Sequence, residues 1–233
     1  MFTLYKKEIQ YYLNNPIGYI ILVLFGVFAN FLFVKDIFIV GSASMRPFFG
    51  VLPWLLLVFI PALTMRMLSE EKRTNTVEVL LTLPVSETQI ILAKVLALTT
   101  LIATGFLLTL SLPVSLAILT KLYFPEILAG YFGSLLLAVS FISIALFFSA
   151  QTKNQVVAFL FSVLALFVFL VLGTDFMAGI IPKDILDILI YFTPMYHLQN
   201  FIKGVIDIRS VFYFISLFGI FILLTIVQLE KRD

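Results

Sequence analysis

The chain has 233 residues, of which 62% are hydrophobic and only 12% are charged, and its formal net charge is +2. A soluble domain of this size has about a quarter of its residues charged, so the composition excludes a soluble enzyme, a nucleic-acid-binding protein and a disordered chain. The absence of cysteine excludes a disulfide framework and cysteine-ligated metal sites. These features predict an all-α, polytopic membrane protein in which residues 1–233 form a single transmembrane domain.

Six apolar stretches approach or reach the roughly 20 residues that a membrane-crossing helix needs. None of them contains Lys, Arg, Asp or Glu. Asn15 and Pro16 predict the start of the first helix, Pro125 predicts that of the fourth, and Ser210 is expected to cap the sixth. The predicted spans cover residues 17–34, 48–65, 95–119, 127–150, 156–173 and 211–229.

Three prolines fall inside these spans and predict bends, because proline removes a backbone hydrogen bond. Pro53 and Pro61 lie in the second span and Pro113 lies in the third. The sequence leaves open whether the bends line a cavity or serve only helix packing.

The distribution of Lys and Arg between the loops predicts the orientation. With both termini in the cytoplasm, nine of the fifteen basic residues lie inside and six lie outside. The paired basic residues at 6–7, 72–73 and 231–232 all fall on the inside. We therefore expect an N-in, C-in topology.

Residues 2–14 are predicted to form an amphipathic helix on the inner membrane surface. Tyr5 and Tyr12 lie on its apolar face and suit the headgroup layer, while Lys6 and Lys7 can contact anionic lipid. Two interpretations remain open: the helix is a simple interfacial anchor, or it also contacts a cytoplasmic partner.

The loop between the second and third spans holds eight of the 28 charged residues of the chain. Asn75 and Glu78 form a capping-box pattern that predicts a short helix over residues 76–83. Its apolar residues, which include Leu80 and Leu81, have no core of their own to enter. We expect this face to rest on the bilayer or to dock on a cytoplasmic subunit.

Helices are expected on both sides of this short element. The second span is predicted to continue beyond the membrane as a charged helix to about Arg73. Ser86 and Gln89 form a second capping box, which predicts the start of the helix that becomes the third span.

The segment between the fifth and sixth spans predicts two short outer helices. Pro182 precedes the first, whose polar side carries Asp184 and Asp187, and Pro194 precedes the second. The pair could form a lid over an exit or re-enter the bilayer. His197 is the only histidine, and without a carboxylate and nucleophile beside it in the sequence we expect it to have a structural hydrogen-bonding role.

The spans lack the ionisable side chains on which proton- or sodium-coupled transporters depend. The chain also lacks a G-x-x-x-x-G-K-[ST] phosphate-binding loop, so energy for transport must come from a partner. No span shows a continuous polar stripe, which disfavours a passive pore. Small residues at four-residue spacing, Gly130, Ser134 and Ala138, predict close helix packing, either within the chain or at a dimer seam.

Three segments together resemble the ABC-2 type permease subunits of ABC transporters, and most closely the gliding-motility-associated branch. LYKKEIQYYLNNPIGYI, at residues 4–20, resembles an amphipathic entry helix that leads into the first span. The loop at residues 61–94 has the acidic pair, the Thr-x-Glu-x-Leu-Leu stretch and the proline of that branch. YFTPMYHLQNFIKGVIDIRSVFYFIS, at residues 191–216, resembles its outer helices and final span.

The resemblance implies a permease subunit that couples ATP hydrolysis by a separate cytoplasmic ATPase to export across a bacterial inner membrane. It implies no catalytic activity and no cofactor in this chain, since ATP and Mg²⁺ would bind the partner. Expected partners are two ATPase copies, a second permease (identical or a sister chain) and membrane lipid, with an outer accessory subunit left open. The alternative is a membrane anchor or a mechanotransmission subunit that moves no solute.

The resemblance also assigns roles to two groups of residues. The expected ATPase contacts are Glu70, Glu71, Arg73, Glu78, Leu80 and Leu81. The expected outer gate consists of Pro182, Asp184, Asp187, Pro194 and His197.

Overall fold

A computed structural model of the protein describes residues 1–40, 44–76, 85–119, 122–172, 182 and 189–230. These residues form ten helices and no strand, which confirms the all-α prediction for the described part of the chain. The helices are α1 (Phe2–Asn14), α2 (Pro16–Val40), α3 (Arg46–Thr64), α4 (Ser69–Arg73), α5 (Glu87–Thr109), α6 (Ser111–Leu119), α7 (Phe124–Gln151), α8 (Gln155–Val171), α9 (Pro194–Ile202) and α10 (Ile208–Glu230).

Five helical segments are long and apolar enough to cross a membrane. They are Pro16–Lys35, Arg46–Arg73, Glu87–Ile118, Phe124–Gln151 and Ile208–Glu230. The predicted fifth span corresponds to α8, which is apolar but has 17 residues. At about 1.5 Å per residue, α8 is somewhat shorter than a hydrocarbon core of about 30 Å. The described residues thus support a multi-pass membrane protein with five candidate crossings, and the sixth stays a prediction.

Most helix starts agree with their sequence signals. The backbone N–H of Ile17 donates to the Asn15 side chain at 3.2 Å, which confirms the predicted start of α2. The Ser86 hydroxyl accepts from the N–H of Gln89 at 3.3 Å, as its capping box predicts for α5. The predicted cap at Ser210 is wrong: α10 begins earlier, where the Asp207 carboxylate accepts from the N–H of Arg209 at 3.0 Å.

The third span, for which Pro113 predicts a bend, is interrupted one turn before that proline. The break falls at Leu110, between α5 and α6. Pro113 cannot donate to the carbonyl of Thr109, and its ring crowds that carbonyl. The Thr109 hydroxyl lies 2.8 Å from the Phe106 carbonyl and 3.0 Å from the Tyr131 hydroxyl, so the interrupted turn retains polar contacts.

The charged continuation of the second span to Arg73 is also confirmed, with one break at residues 65–68. Ser149 of α7 lies at this break. Its hydroxyl accepts from the N–H groups of Leu68 and Ser69, each at 3.2 Å, and donates to the Met65 carbonyl at 3.1 Å. A side chain from a neighbouring helix therefore bonds backbone groups that the helix leaves unpaired where it breaks.

Helix α7 lies at the centre of the bundle and packs against α3, α5, α8, α9 and α10. Its small residues permit close approach: a Cβ at Gly130 would lie 2.3 Å from the Phe49 ring, and one at Gly133 would lie 2.5 Å from Phe201 Cβ. Ser134 and Ala138 are fully buried. The small-residue stripe on α7 therefore packs within the chain.

The helices alternate between two ends of the bundle. At one end, which we call the charged end, α1, α4 and the first turns of α5 meet through Glu8, Glu71 and Lys94, with the last turn of α7 beside them. At the opposite end, Arg46 pairs with Glu126. The turn after α9 also lies there, because Gly204 (φ 82°) comes so near that an added Cβ would lie 3.3 Å from the Glu126 backbone.

Candidate functional site at the charged end

A buried lysine joins three helices at the charged end. The Lys94 side chain is 1% exposed, and its Nζ lies 3.0 Å from Glu8 Oε1 and 2.7 Å from Glu71 Oε1. The two carboxylates come from α1 and α4, whereas Lys94 lies in α5. An ammonium group this deeply buried is tolerated only when it is paired. This ion triad therefore fixes the N-terminal helix and the charged continuation of α3 to the start of α5.

Tyr12 provides a second attachment of α1. It is buried, and its hydroxyl donates to the Leu63 carbonyl at the end of α3. Burial raises the pKa of Tyr12 well above its usual range. Of the other residues expected on the interfacial helix, Tyr5 is half-buried, while Lys6 and Lys7 are exposed. The face of α1 that carries Tyr12 and Glu8 thus contacts protein.

A cleft of about 470 Å³ opens between α1 and the segment formed by the end of α3 and α4. Charged side chains from both elements, two tyrosines and two threonines form most of its wall. The lining residues are Lys7, Glu8, Tyr11, Tyr12, Arg66, Met67, Glu70, Glu71, Thr74 and Thr76.

Three polar atoms of this cleft are buried and find no hydrogen-bond partner among the described residues. They are Arg66 Nε, Glu70 Oε2 and Glu71 Oε2. The second oxygen of each carboxylate is engaged: Glu71 Oε1 binds Lys94, and Glu70 Oε1 lies 3.3 Å from the Arg73 guanidinium. Buried polar groups in folded proteins are nearly always paired, and an unpaired one is costly. Two acceptor atoms and one donor atom are therefore left unpaired beneath the wall of the cleft, with almost no surface open to solvent.

The structure separates the residues that were expected to contact an ATPase. The Glu71 side chain is 17% exposed and bound to Lys94, and that of Glu70 is 33% exposed, whereas the Arg73 side chain is 61% exposed. Glu78, Leu80 and Leu81, like the predicted short helix after Thr76, lie outside the described residues. Among the described acidic and basic contacts of this group, Arg73 is thus the most accessible.

The capping box expected at Asn75 includes Glu78, which lies outside the described residues, while Thr76, the first residue of the predicted helix, is helical. Asn75 has φ 56°, in the left-handed region, whereas a capping residue at a helix start has an extended backbone. Its N–H donates to the Lys72 carbonyl at 3.4 Å. Asn75 therefore ends α4, a position where asparagine in this conformation is common.

Of the residues expected at an outer gate, Pro194 and His197 belong to α9, which lies at the opposite end of the bundle. Pro182 is exposed, Pro194 begins α9 and is buried, and Asp184 and Asp187 lie outside the described residues. These placements put the N-terminus of α9 against the bundle.

His197 lies in a closed hydrogen-bond network at this opposite end. Its Nε2 lies 2.9 Å from the Tyr191 carbonyl, which can only accept, so Nε2 carries the proton. Its Nδ1 then accepts from the Ser210 hydroxyl at 3.2 Å, and that hydroxyl accepts from the Asn200 amide at 3.2 Å. The ring stacks on Tyr213 with 4.0 Å between centroids. Burial lowers the pKa of His197, which favours this neutral form.

Sequence reasoning missed Glu8 and the role of Lys94. Lys94 borders an apolar stretch, where a lysine is usually interfacial, yet its neighbours Ile90, Ile91 and Leu98 at helical spacing are buried. Glu8 precedes Tyr12 by four residues and so shares its helix face. The available sequence signal was that Glu8 and Lys94 have opposite charges and that each shares a helix face with apolar residues that are buried.

The comparisons with known proteins cover the whole of this arrangement. Residues 3–229 match the family model described as ABC-2 family transporter protein. The match extends from the first turn of α1 to the last turn of α10 and includes every residue that lines the cleft. No curated protein matches the chain.

Proposed function

Because the chain belongs to the ABC-2 family of transporter proteins, we propose that it is a permease subunit through which a separate cytoplasmic ATPase drives export of a substrate. The family match over nearly the whole chain carries this proposal. Permeases of this family are multi-pass membrane proteins that generally work with such an ATPase, and the apolar helices of this chain agree with that class. ATP and Mg²⁺ would bind the ATPase, and the permease would transmit its movement.

We extend the proposal to the topology. Residues 1–233 form one transmembrane domain with six crossings in a bacterial inner membrane. The crossing that is additional to the five candidate spans of the structure is the predicted span 156–173, which overlaps α8. The charged end faces the cytoplasm, together with both termini. The excess of Lys and Arg on that side supports this orientation.

The proposed ATPase contact is the segment that follows α4. Arg73 is exposed at its start, and the sequence continues with Glu78, Leu80 and Leu81. Glu70 and Glu71 support this contact from its base. A push on α4 would reach α1 and α5 through Lys94, because all three helices share its ion pairs.

The complex would contain two ATPase copies and a second permease, either identical or a sister chain. At the outer side, α9 and the segment before it, which includes Pro182, Asp184 and Asp187, would cap the translocation route. The three sequence segments that resemble the gliding-motility-associated branch support placement in that branch, in which an outer accessory subunit can take part. The location of the cleft at the charged end does not depend on the branch of the family to which the chain belongs.

The proposal is tested by purifying the tagged chain from its native membrane and identifying bound proteins by mass spectrometry. We expect an ATP-binding subunit to co-purify with the unaltered chain. Reversing two charges of the proposed contact, Arg73→Glu with Glu78→Lys, should abolish its recovery and the stimulation of its ATPase activity. Lys153→Glu with Glu230→Lys is the matched control, since both residues are exposed in the loop after α7 and at the end of α10, on the charged side.

Three results would contradict parts of the proposal. Recovery of the chain without any ATPase would favour the membrane-anchor alternative. Retention of the ATPase by the Arg73/Glu78 variant would place the contact elsewhere. An ATPase that binds and hydrolyses ATP while no solute moves would favour mechanotransmission.

A further inference from the structure

We infer that Glu71 is a proton-binding site that controls the position of α4: a protonated Glu71 favours the docked position of α4 beside α1 and α5, and loss of the proton releases α4. The inference rests on the charges that meet at Lys94 and on the burial of the second Glu71 oxygen. It depends neither on transport nor on an ATPase.

One buried cation faces two carboxylates in the ion triad. Lys94 Nζ lies 3.0 Å from Glu8 Oε1 and 2.7 Å from Glu71 Oε1, so one positive charge meets two negative charges when all three groups are ionised. The Arg73 guanidinium does not compensate the excess, because it pairs with Glu70 and is mostly exposed. Carboxylates that share a site disfavour each other's ionised form. A proton on one of them makes the triad neutral.

The way in which its carboxylate is enclosed selects Glu71 as the group that binds this proton. Among the described residues, Glu71 Oε2 is buried without a partner, whereas Glu8 has no such atom. An ionised carboxylate whose second oxygen meets neither a donor nor solvent is costly, and a proton removes its charge. Glu70 also has a buried, unpaired Oε2, but Arg73 balances its charge and its side chain is more exposed than that of Glu71.

The elements around Glu71 supply no further buried cation. Helices α7 and α8 pack against α4 and carry no charged residue at this end, and Lys153 in the loop between them is exposed. On α5, Glu87 lies about two turns before Lys94. The other titratable and charged residues of the cleft wall and of α4 are Lys7, Tyr11, Tyr12, Arg66, Glu70, Lys72 and Arg73.

Burial outweighs the attraction of the neighbouring cations. Glu71 lies in the charged helix α4, beyond the predicted span 48–65. Burial raises the pKa of Glu71, the Lys94 ammonium lowers it by less, and the charge of Glu8 adds to the increase. The net direction agrees with the excess of carboxylates in the triad and with the unpaired oxygen.

Linkage fixes the direction in which α4 responds to pH. In a released α4 the Glu71 side chain is solvated, and a solvated glutamate has a pKa of about 4.3. The pKa is higher in the docked position, so docking takes up a proton. This stabilisation of the docked position is complete below about pH 4.3 and is lost as the pH rises through the docked-state pKa. The Ser149 hydroxyl accepts from the Ser69 N–H and still holds the start of α4.

The test measures the distance between α4 and α1 at different pH values. The chain has no cysteine, and Gln10 on α1 and Thr74 directly after α4 are exposed, so Gln10→Cys with Thr74→Cys provides one pair of spin-label sites in the purified full-length protein. We expect pulsed electron paramagnetic resonance to show a several-fold smaller short-distance population at pH 8 than at pH 5. Unchanged distances would overturn the inference, and so would release of α4 at the lower pH.

A second label pair separates release of α4 from a general loosening of the charged end. Gln10→Cys with Gln89→Cys joins α1 to the first turn of α5, and both positions are exposed. This distance should stay constant between pH 5 and pH 8, because Glu8 remains bound to Lys94. An equal change in both label pairs would overturn the assignment to α4.

Variants assign the proton to one carboxylate. Glu71→Gln cannot titrate and has no charge to bury, so it should keep α4 docked at both pH values. Glu8→Gln leaves Lys94 to Glu71 alone and should reduce the change with pH. Glu230→Gln, an exposed control, should leave the change as it is. Persistence of the change in Glu71→Gln, or its loss in Glu70→Gln instead, would overturn the assignment to Glu71.

Infrared spectroscopy of the unaltered chain gives a readout that needs no variant to fold. A protonated carboxyl group has a carbonyl band that the carboxylate lacks, and this band should disappear over the same pH range in which α4 is released. Release of α4 at a pH where the band does not change would assign the movement to another group and overturn the inference.

Discussion

The two ends of the bundle treat buried carboxylates differently. At the opposite end, Glu126 is buried, and both of its oxygens are bound, to Arg46 Nε and to the Ser44 hydroxyl, each at 3.0 Å. Both ring nitrogens of His197 at that end are likewise engaged. Within these two networks, the buried side chains that the structure describes are paired inside the chain.

At the charged end, the same residue types leave hydrogen-bonding capacity unused. Lys94 binds one oxygen of Glu71, while Glu71 Oε2, Glu70 Oε2 and Arg66 Nε remain buried and unpaired among the described residues. A folded chain tolerates such atoms where a partner or ligand completes them. The difference teaches that polar side chains form fully paired networks at one end and leave some buried atoms unpaired at the other, and the predictions below test this division.

The largest expected effect comes from removing the cation shared by three helices. Lys94→Met leaves the carboxylates of Glu8 and Glu71 buried and without a counter-charge. We expect a loss of about 3–5 kcal/mol in the free energy of unfolding, the usual result of breaking a buried ion pair from one side. Denaturant unfolding of the purified protein in detergent measures it.

Two comparisons sharpen the Lys94 result. The triple variant Glu8→Gln, Lys94→Met, Glu71→Gln removes all three charges and should recover much of the lost stability. At the opposite end, Arg46→Gln should cost about 1 kcal/mol or less, because the Arg46 side chain is 58% exposed and Ser44 still donates to Glu126. Equal losses for Lys94→Met and Arg46→Gln would contradict the distinction between the ends.

The second prediction concerns close packing at the centre, which both ends depend on. Gly130→Ala places a Cβ that would lie 2.3 Å from the Phe49 ring and should destabilise the bundle by about 1–3 kcal/mol. Gly219→Ala in α10 is the control: nothing lies within 4 Å of its added Cβ, and alanine favours the helix. Thermal unfolding should therefore separate the two variants in sign. A neutral Gly130→Ala would show that α3 and α7 can move apart without cost.

The third prediction concerns the break that carries the chain into the charged end. Ser149→Ala removes the acceptor for the N–H groups of Leu68 and Ser69. The expected loss is on the order of 1 kcal/mol, because buried donors are left unpaired. Ser143→Ala is the control, since that hydroxyl bonds a carbonyl of its own helix, at Ser140. Hydrogen exchange at residues 65–73 should rise in the first variant alone, and equal exchange in both would contradict the role of Ser149.

Much of the fold follows from the sequence, because helix signals are local. Asn15–Pro16 and Ser86–Gln89 predict helix starts, and Pro113 predicts the interruption in the third span, from residues within one turn of each other. The ion triad could not be found in the same way, because Lys94 lies 86 residues from Glu8 in the sequence and 23 from Glu71. The sequence also could not predict that Asp207 rather than Ser210 caps α10, because the Ser210 hydroxyl bonds His197 instead. Pairings between distant segments decide the site, and one sequence does not reveal them.

The smallest expected effect is a pH dependence confined to the opposite end. Burial holds the pKa of His197 below its value of about 6.5 in an unfolded chain. Its contribution to stability is therefore complete above pH 6.5 and is lost as the pH falls through the folded-state pKa, because protonated Nδ1 can no longer accept from Ser210. Hydrogen exchange in α9, corrected for the intrinsic rate, should be faster at pH 5 than at pH 7.5. His197→Gln cannot titrate and should abolish this difference, whereas the same dependence in that variant would assign it to another group.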